Sequence, residues 1–171
     1  LLVGLHAAGC GGRRAGVPPP IEGPDGRPAE VIELVGRTPA GEEIRLSDLR
    51  GKVVLVNYFA TWCDPCMEEA PRFEALLRGD NPLSGFEVLG VSVDLSGEAL
   101  VPPWAELLRI NYPIVLADKG SLQGNTPFGP LPAIPASFLV DTKGRYIQSF
   151  LGPVPIRYLR RRVEALIGDA R

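Results

Sequence analysis

The stretch "VVLVNYFATWCDPCMEEAP", Val53 to Pro71, decides how this chain is read. Its first part, Val53 to Ala60, is almost continuously apolar and rich in β-branched side chains. A strand of that composition is buried on both faces, as in the centre of a parallel sheet. The residues from Asp64 to Arg78 are helical in character, with Cys66, Glu69, Phe73, Leu76 and Leu77 on one face. Pro71 falls inside that helix and predicts a kink. Cys63 and Cys66, two of the three cysteines in the chain, stand where strand gives way to helix.

Working outward, "VIELVGRTPAGEEIRLSDLRGK" from Val31 alternates apolar residues around a Gly-containing bend. It predicts a β-hairpin with "PAGE" near its turn, and then a single helical turn over "SDLRGK" capped by Ser47. On the other side, Phe86 to Asp94 reads as a second strand. "PWAELLRI" reads as a short helix with Trp104, Leu107 and Leu108 on its apolar side, and "PIVLAD" as a third strand. "SFLVDTKGRYIQSFLG" is a hairpin in which Gly144 supplies a left-handed turn position. The last helix spaces Ile156, Leu159, Val163 and Ile167 at helical intervals and is ended by Gly168. A parallel start with an antiparallel finish predicts an α/β fold with a central mixed β-sheet flanked by helices on both faces. The N-terminal hairpin is an extension of that core, and the Trp104 helix is an insertion in it.

The chain has 171 residues, which suits one domain able to bury a core without staples. Hydrophobic residues make up 45% and charged residues 22%, a globular profile, and the net charge of −2 gives no basic footprint for nucleic acid. No apolar run approaches the ~20 residues that span a bilayer. Residues 1–10, "LLVGLHAAGC", read as the later part of a secretory signal, and "AAGC" resembles a bacterial lipoprotein processing site with Cys10 as the lipid-bearing residue. The usual pattern has Leu three positions before that cysteine, where Ala7 stands here. Residues 11–30, rich in Gly and Pro, read as a tether, and residues 31–171 as the folded domain.

The cysteine pair admits several chemistries. Structural zinc needs a full tetrahedral set of Cys, His or carboxylate ligands. The single histidine, His6, lies in the signal-like segment, so no metal is expected. Covalent haem attachment needs His directly after the second cysteine, where Met67 stands, and an iron–sulfur cluster needs further thiolates. A purely structural disulfide closing so small a loop would stabilise little. What remains is a dithiol that cycles between reduced and oxidised forms, with no cofactor. At the start of a helix the unpaired N–H groups and the dipole favour an anion, so Cys63 is the expected thiolate nucleophile. Cys66, one turn deeper, is the expected resolving thiol. Pro65 fits the first helical turn. The Asp64 carboxylate repels a neighbouring thiolate and points toward a reductant.

"WCDPC" after an apolar strand, Pro71 beyond it, and "AIPASFLVDTKG" near the end resemble the thioredoxin fold. With the N-terminal hairpin, "NYFATWC", "EEAP" and the Trp104 insertion, residues from Val31 to Gly168 resemble the membrane-tethered TlpA/ResA-type thiol–disulfide oxidoreductases. That resemblance implies roles for further positions. Trp62 flanks the active site, Pro135 is the cis-proline beside the dithiol, and the Ile134 backbone pairs with an extended substrate chain. Glu69 sits near the dithiol, is raised in pKa by burial and accepts a proton from Cys66, while Glu68 faces solvent. Asn57 occupies the place of a buried Asp in cytosolic thioredoxins, so the proton role falls to Glu69.

The expectation is therefore a monomeric extracytoplasmic reductant of disulfides in client proteins, apocytochrome c among the candidates, recharged by a membrane thiol–disulfide donor and held at a bilayer through Cys10. Two other readings compete. A peroxiredoxin-like peroxidase places Thr or Ser three residues before its reactive cysteine, where Ala60 stands here. An envelope copper-binding module would use the thiols as soft ligands, but such relatives separate the cysteines by three residues and add a distant His.

Overall fold

The computed structural model describes residues 30–169. The signal-like segment, Cys10 and the tether up to residue 29 lie outside the described residues.

A short hairpin, β1 (Val35–Arg37) and β2 (Glu43–Arg45), opens the domain, its turn closed by Gly41 at φ +89°. The central strand β3 (Val53–Phe59) is buried at every position, as its unbroken apolar run requires. Helix α1 (Asp64–Arg78) follows, then β4 (Phe86–Ser92), α2 (Gly97–Leu108) and β5 (Ile114–Leu116). Three small elements come next: α3 (Lys119–Leu122), β6 (Asn125–Thr126) and β7 (Gly129–Pro130). The hairpin β8 (Ala136–Val140) and β9 (Tyr146–Leu151) and the helix α4 (Ile156–Gly168) complete the fold.

The main sheet has seven strands in the order β2-β1-β5-β4-β3-β8-β9. β3, β4 and β5 are parallel; β8 lies antiparallel to β3, and β9 to β8. The N-terminal hairpin joins the far edge through an antiparallel bridge between Arg37 and Leu116. This is the thioredoxin fold with a mixed sheet. Its two faces are covered unequally. The alternate residues Val53, Leu55 and Phe59 of β3 pack with Phe73 of α1, Trp104 of α2 and Leu159 of α4, so all three long helices share one face. Val54, Val56 and Tyr58 point the other way, into a second core with Leu34, Leu46, Val91 and Phe138. Among the described residues, only short elements close that side.

Several sequence expectations change. The turn at Leu46–Leu49 is capped not by Ser47 but by Arg45, whose N–H donates to Asp48 Oδ2 at 3.3 Å. Ser47 lies inside the turn and donates its N–H to Glu33 Oε1 at 3.2 Å. Helix α2 begins well before Pro103 and runs through both Pro102 and Pro103, which are exposed. It buries Val101 and Trp104 but leaves Leu107 73% exposed, so Leu107 is not on its packed side. Gly168 is the last residue of α4 rather than a left-handed stop beyond it.

The N-terminal hairpin is clamped to the β8–β9 turn. Ile32 N–H donates to the Gly144 carbonyl, Gly51 N–H to Thr142 and Tyr146 N–H to Glu30, each at 2.9 Å. The Arg50 guanidinium donates to the Leu46 and Ile32 carbonyls at 3.1 Å and lies flat against Gly144. Gly144 has φ +83°, and a Cβ there would enter the Arg50 guanidinium. Gly144→Ala is therefore expected to destabilise the domain by about 2 kcal/mol, from the left-handed backbone and the displaced arginine together. Urea unfolding checks this; an unchanged midpoint would mean the clamp does not constrain the turn.

Candidate active site

The burial of β3 carries the chain to a fixed exit at Phe59, and the sharp change to helix at Cys63 sets the dithiol there. Cys63 is the N-cap of α1, one residue earlier than the first helical turn where the sequence placed it. Its carbonyl accepts from Cys66 N–H at 3.0 Å and Met67 N–H at 3.1 Å. Pro65 occupies the second helical position, where its missing N–H leaves no intrahelical bond unmade. Cys63 and Cys66 are disulfide-bonded, their Cα atoms 5.3 Å apart. Both cysteines are buried, but Cys63 retains 6% exposure against 1% for Cys66, so Cys63 is the more accessible of the two. Trp62, 70% exposed, stands directly beside it.

The loop before the dithiol is held by a buried carboxylate. Asp94, two residues past the end of β4, accepts from Thr61 N–H at 3.0 Å, Thr61 Oγ1 at 2.8 Å and Ser92 Oγ at 2.8 Å. Phe59 O accepts from Val93 N–H at 2.8 Å, so the pairing of β3 and β4 runs on almost to the thiols. Behind this corner, Trp104 of α2 stacks on Phe59 with ring centroids 4.6 Å apart.

One turn below Cys66, Glu69 is 2% exposed. Asn57 Nδ2 donates to its Oε1 at 2.9 Å and the Val154 backbone N–H to its Oε2 at 3.1 Å. Asn57 also donates to Ser137 Oγ at 2.9 Å, and these two residues face each other across β3 and β8. Burial pushes the Glu69 carboxyl up to about 7, against the pull of the Val154 and Asn57 donors and the Arg72 charge. Glu68 is exposed, as its place on the helix predicts.

The Ile134–Pro135 bond is cis. Because β8 runs antiparallel to β3, with Ala136 opposite Tyr58, Pro135 lies at the end of the sheet that carries the dithiol. Its carbonyl accepts from Gly152 N–H at 2.8 Å, and Ile134 is half-buried against both cores. Trp62, Cys63, Cys66 and Glu69 thus share one strand–helix corner, and Pro135 comes to the same end from sequence far away. Sequence reasoning missed Asp94, Thr61, Ser137 and the Val154 amide. The acidic residue ending the strand "VLGVSVD" was a usable signal for Asp94; nothing local marks Val154, which meets Glu69 across 85 positions.

A model described as the AhpC/TSA family matches residues 26–148. Thiol-disulfide oxidoreductase ResA of Geobacillus kaustophilus (strain HTA426) is 33% identical over 129 residues, covering 74% of this chain and 70% of its own. The ResA protein of Bacillus cereus (strain ZK / E33L) is 33% identical over 113 residues, covering 66% and 62%. Among solved structures, a thiol:disulfide interchange protein of the thioredoxin family from Chlorobium tepidum TLS superposes with a TM-score of 0.69 at 27% identity, over 82% of this chain and 97% of that one. StoA from Bacillus subtilis gives 0.60 at 25% identity, over 78% and 98%.

The raised Glu69 pKa makes stability depend on pH. The folded value of about 7 lies above the ordinary 4.5, so the protonated form favours folding. That contribution is complete below pH 4.5 and is lost as pH rises through 7, about 3 kcal/mol in all. Denaturant titrations from pH 4.5 to 8 are expected to show this fall in wild type. Glu69→Gln should flatten it; a variant with the same pH slope as wild type would assign the effect to another group.

Proposed function

We propose a function from one premise: the chain belongs to the AhpC/TSA family and is a thiol–disulfide oxidoreductase on the thioredoxin fold. We infer that it works as a reductant of disulfides in client proteins. The observation that carries this reading is the Cys63–Cys66 pair at the N-terminus of α1, with a buried carboxylate that ionises near neutrality one turn below.

The reduced pair starts the cycle. The Cys63 thiolate, favoured by the helix terminus, attacks one sulfur of a client disulfide. That S–S bond breaks, a Cys63–client bond forms, and the first client thiolate leaves and takes up a proton. Cys66 then passes its proton to Glu69 and attacks the Cys63 sulfur. The mixed disulfide breaks, the second client thiolate leaves, and the pair ends oxidised. Two electrons have moved from the dithiol to the client. Asp64, next to Cys63, repels the thiolate and favours a pair that gives electrons away. Trp62, next to Cys63 in the chain, and the Ile134–Pro135 segment at the same end of the sheet are the surfaces a client chain would meet.

The same reading places the domain outside the cytoplasm. Its support is the sequence of residues 1–30: a signal-like apolar run, the small residues before Cys10, and a Gly/Pro tether. Lipid on Cys10 would hold the domain at a bilayer, where a membrane thiol–disulfide donor could restore the dithiol. Apocytochrome c, whose cysteines must be reduced before haem attachment, is one client of the right chemistry. The AhpC/TSA match is compatible with a peroxidase, but Ala60 stands where that chemistry needs a hydroxyl three residues before Cys63, and the copper-binding reading has no histidine among the described residues.

Two experiments test this. Cys66→Ala removes the resolving thiol, so a disulfide-linked client is expected to accumulate on Cys63, where wild type shows little. Absence of any trapped species, with Cys63 in the reduced protein alkylating like an ordinary surface thiol, would overturn the proposal. Cys10→Ser is expected to move the protein from the membrane to the soluble fraction; unchanged fractionation would remove the lipid anchor from the scheme.

A further inference from the structure

Helix α2 is apolar on more than its packed side. Val101 and Trp104 are buried, yet Leu100 and Leu107 are 43% and 73% exposed. With the exposed Pro103 they follow an i, i+3, i+7 spacing, so they form one ridge along the outer side of the helix. Leu95, in the turn that leads into α2, is 89% exposed and heads the ridge. A helix apolar on two sides calls for a cover on each, and nothing in the described residues covers this one.

The ridge begins beside the dithiol. Asp94 is bonded to both the N–H and the hydroxyl of Thr61, at 3.0 and 2.8 Å. Trp62 and Leu95 are the next residue along each chain. The bonded pair therefore fixes the two most prominent exposed apolar side chains of this end of the sheet in one relation, next to Cys63. A client joined to Cys63 by a mixed disulfide sits beside Trp62, and the Thr61–Asp94 bonds tie the start of α2, with Leu95, to that same loop.

We propose that Leu95 and Leu100, the part of this ridge at the dithiol end, form a docking site for apolar side chains flanking the reactive cysteine of a client polypeptide, with the Thr61–Asp94 pair as its positioning element. The occupant is a polypeptide and not a lipid surface. α2 exposes the carboxylates Glu98 and Glu106 against the single cation Arg109 at its C-cap, so its own charge is net negative and gives anionic headgroups no attraction. A second copy is disfavoured by continuity: the ridge merges with the thiol rim, which must stay open for exchange. This inference rests on the oxidoreductase reading and adds how a client is selected.

Two disulfide-cyclised peptides that differ only in Leu or Ser beside each cysteine test it. The wild-type protein, reduced, is expected to favour the Leu peptide about tenfold in kcat/KM, mainly through KM. Leu95→Ser/Leu100→Ser should bring the preference below about twofold. The ratio is read within each protein, so a general change in folding or thiol reactivity cancels. Asp94→Asn, which keeps an acceptor for Thr61, should retain most of the preference, and Asp94→Ala should lose it. Equal kcat/KM for the two peptides in wild type, or a full preference in the double variant, overturns the inference. Sedimentation of wild type as a dimer that the same serines dissociate assigns the ridge to a second copy and also overturns it. Failure to reduce either peptide would instead overturn the oxidoreductase reading itself.

Discussion

Glu69 is the constraint around which this corner of the fold is arranged. A carboxyl at 2% exposure is costly to bury unless its oxygens are met. Here one oxygen is met by Asn57 of β3 and the other by the Val154 amide in the segment before α4. Asn57 in turn holds Ser137 of β8. A single side chain thus ties α1, two central strands and the approach to the last helix. The apolar contacts of Phe73, Leu76 and Leu159 hold α1 and α4 against the sheet, but they are non-directional. The hydrogen bonds to Glu69 specify the rotation of α1 over the sheet, and that rotation decides where Cys63 and Cys66 stand.

Much of this was legible in the sequence because long elements carry long patterns. The apolar run Val53–Ala60 could only be an inner strand, and the helix bounds Asp64–Arg78 were read as they occur. The hairpin around Gly144 was marked by its turn. The sequence failed where elements are short or where a local rule was overridden. α3, β6 and β7 span between two and four residues, too few for any period to show. Pro102 and Pro103 argued for a helix starting at Pro103, yet the preceding turn is helical because Val101 and Gly97 pack inward. Leu107 matched a helical pattern that has two apolar sides, and a periodicity argument cannot tell which side meets the core.

The site divides in the same way. The dithiol, the Trp beside it and the Glu one turn below lie within eight residues, Trp62 to Glu69, and a local motif reveals them. Their supports do not. Asp94 reaches Thr61 across 33 positions, Ser137 reaches Asn57 across 80, and Val154 reaches Glu69 across 85. These contacts exist only because parallel and antiparallel strands bring distant ends together. The candidate site groups are thus written in one segment, and the contacts that position them are spread through the chain.

The arrangement also limits how much charge the corner can hold. The N-terminus of α1 favours one anion at Cys63, where the peptide dipoles converge. Cys66 and Glu69 lie deeper, three positions apart on one helix face, and both are almost without solvent. Burial raises the Glu69 carboxyl to about 7, which is desolvation acting on a group already given two donors. A thiolate at Cys66 would meet the same desolvation without those donors, and an ionised Glu69 would repel it as well. Two anions there are therefore far less favourable than one anion and one proton. On the proposed mechanism the proton is therefore handed from Cys66 to Glu69 rather than lost from both. The proton leaves the thiol only as the sulfur commits its electron pair to the bond with Cys63, so electron transfer out of the dithiol and proton transfer within the helix become parts of one step.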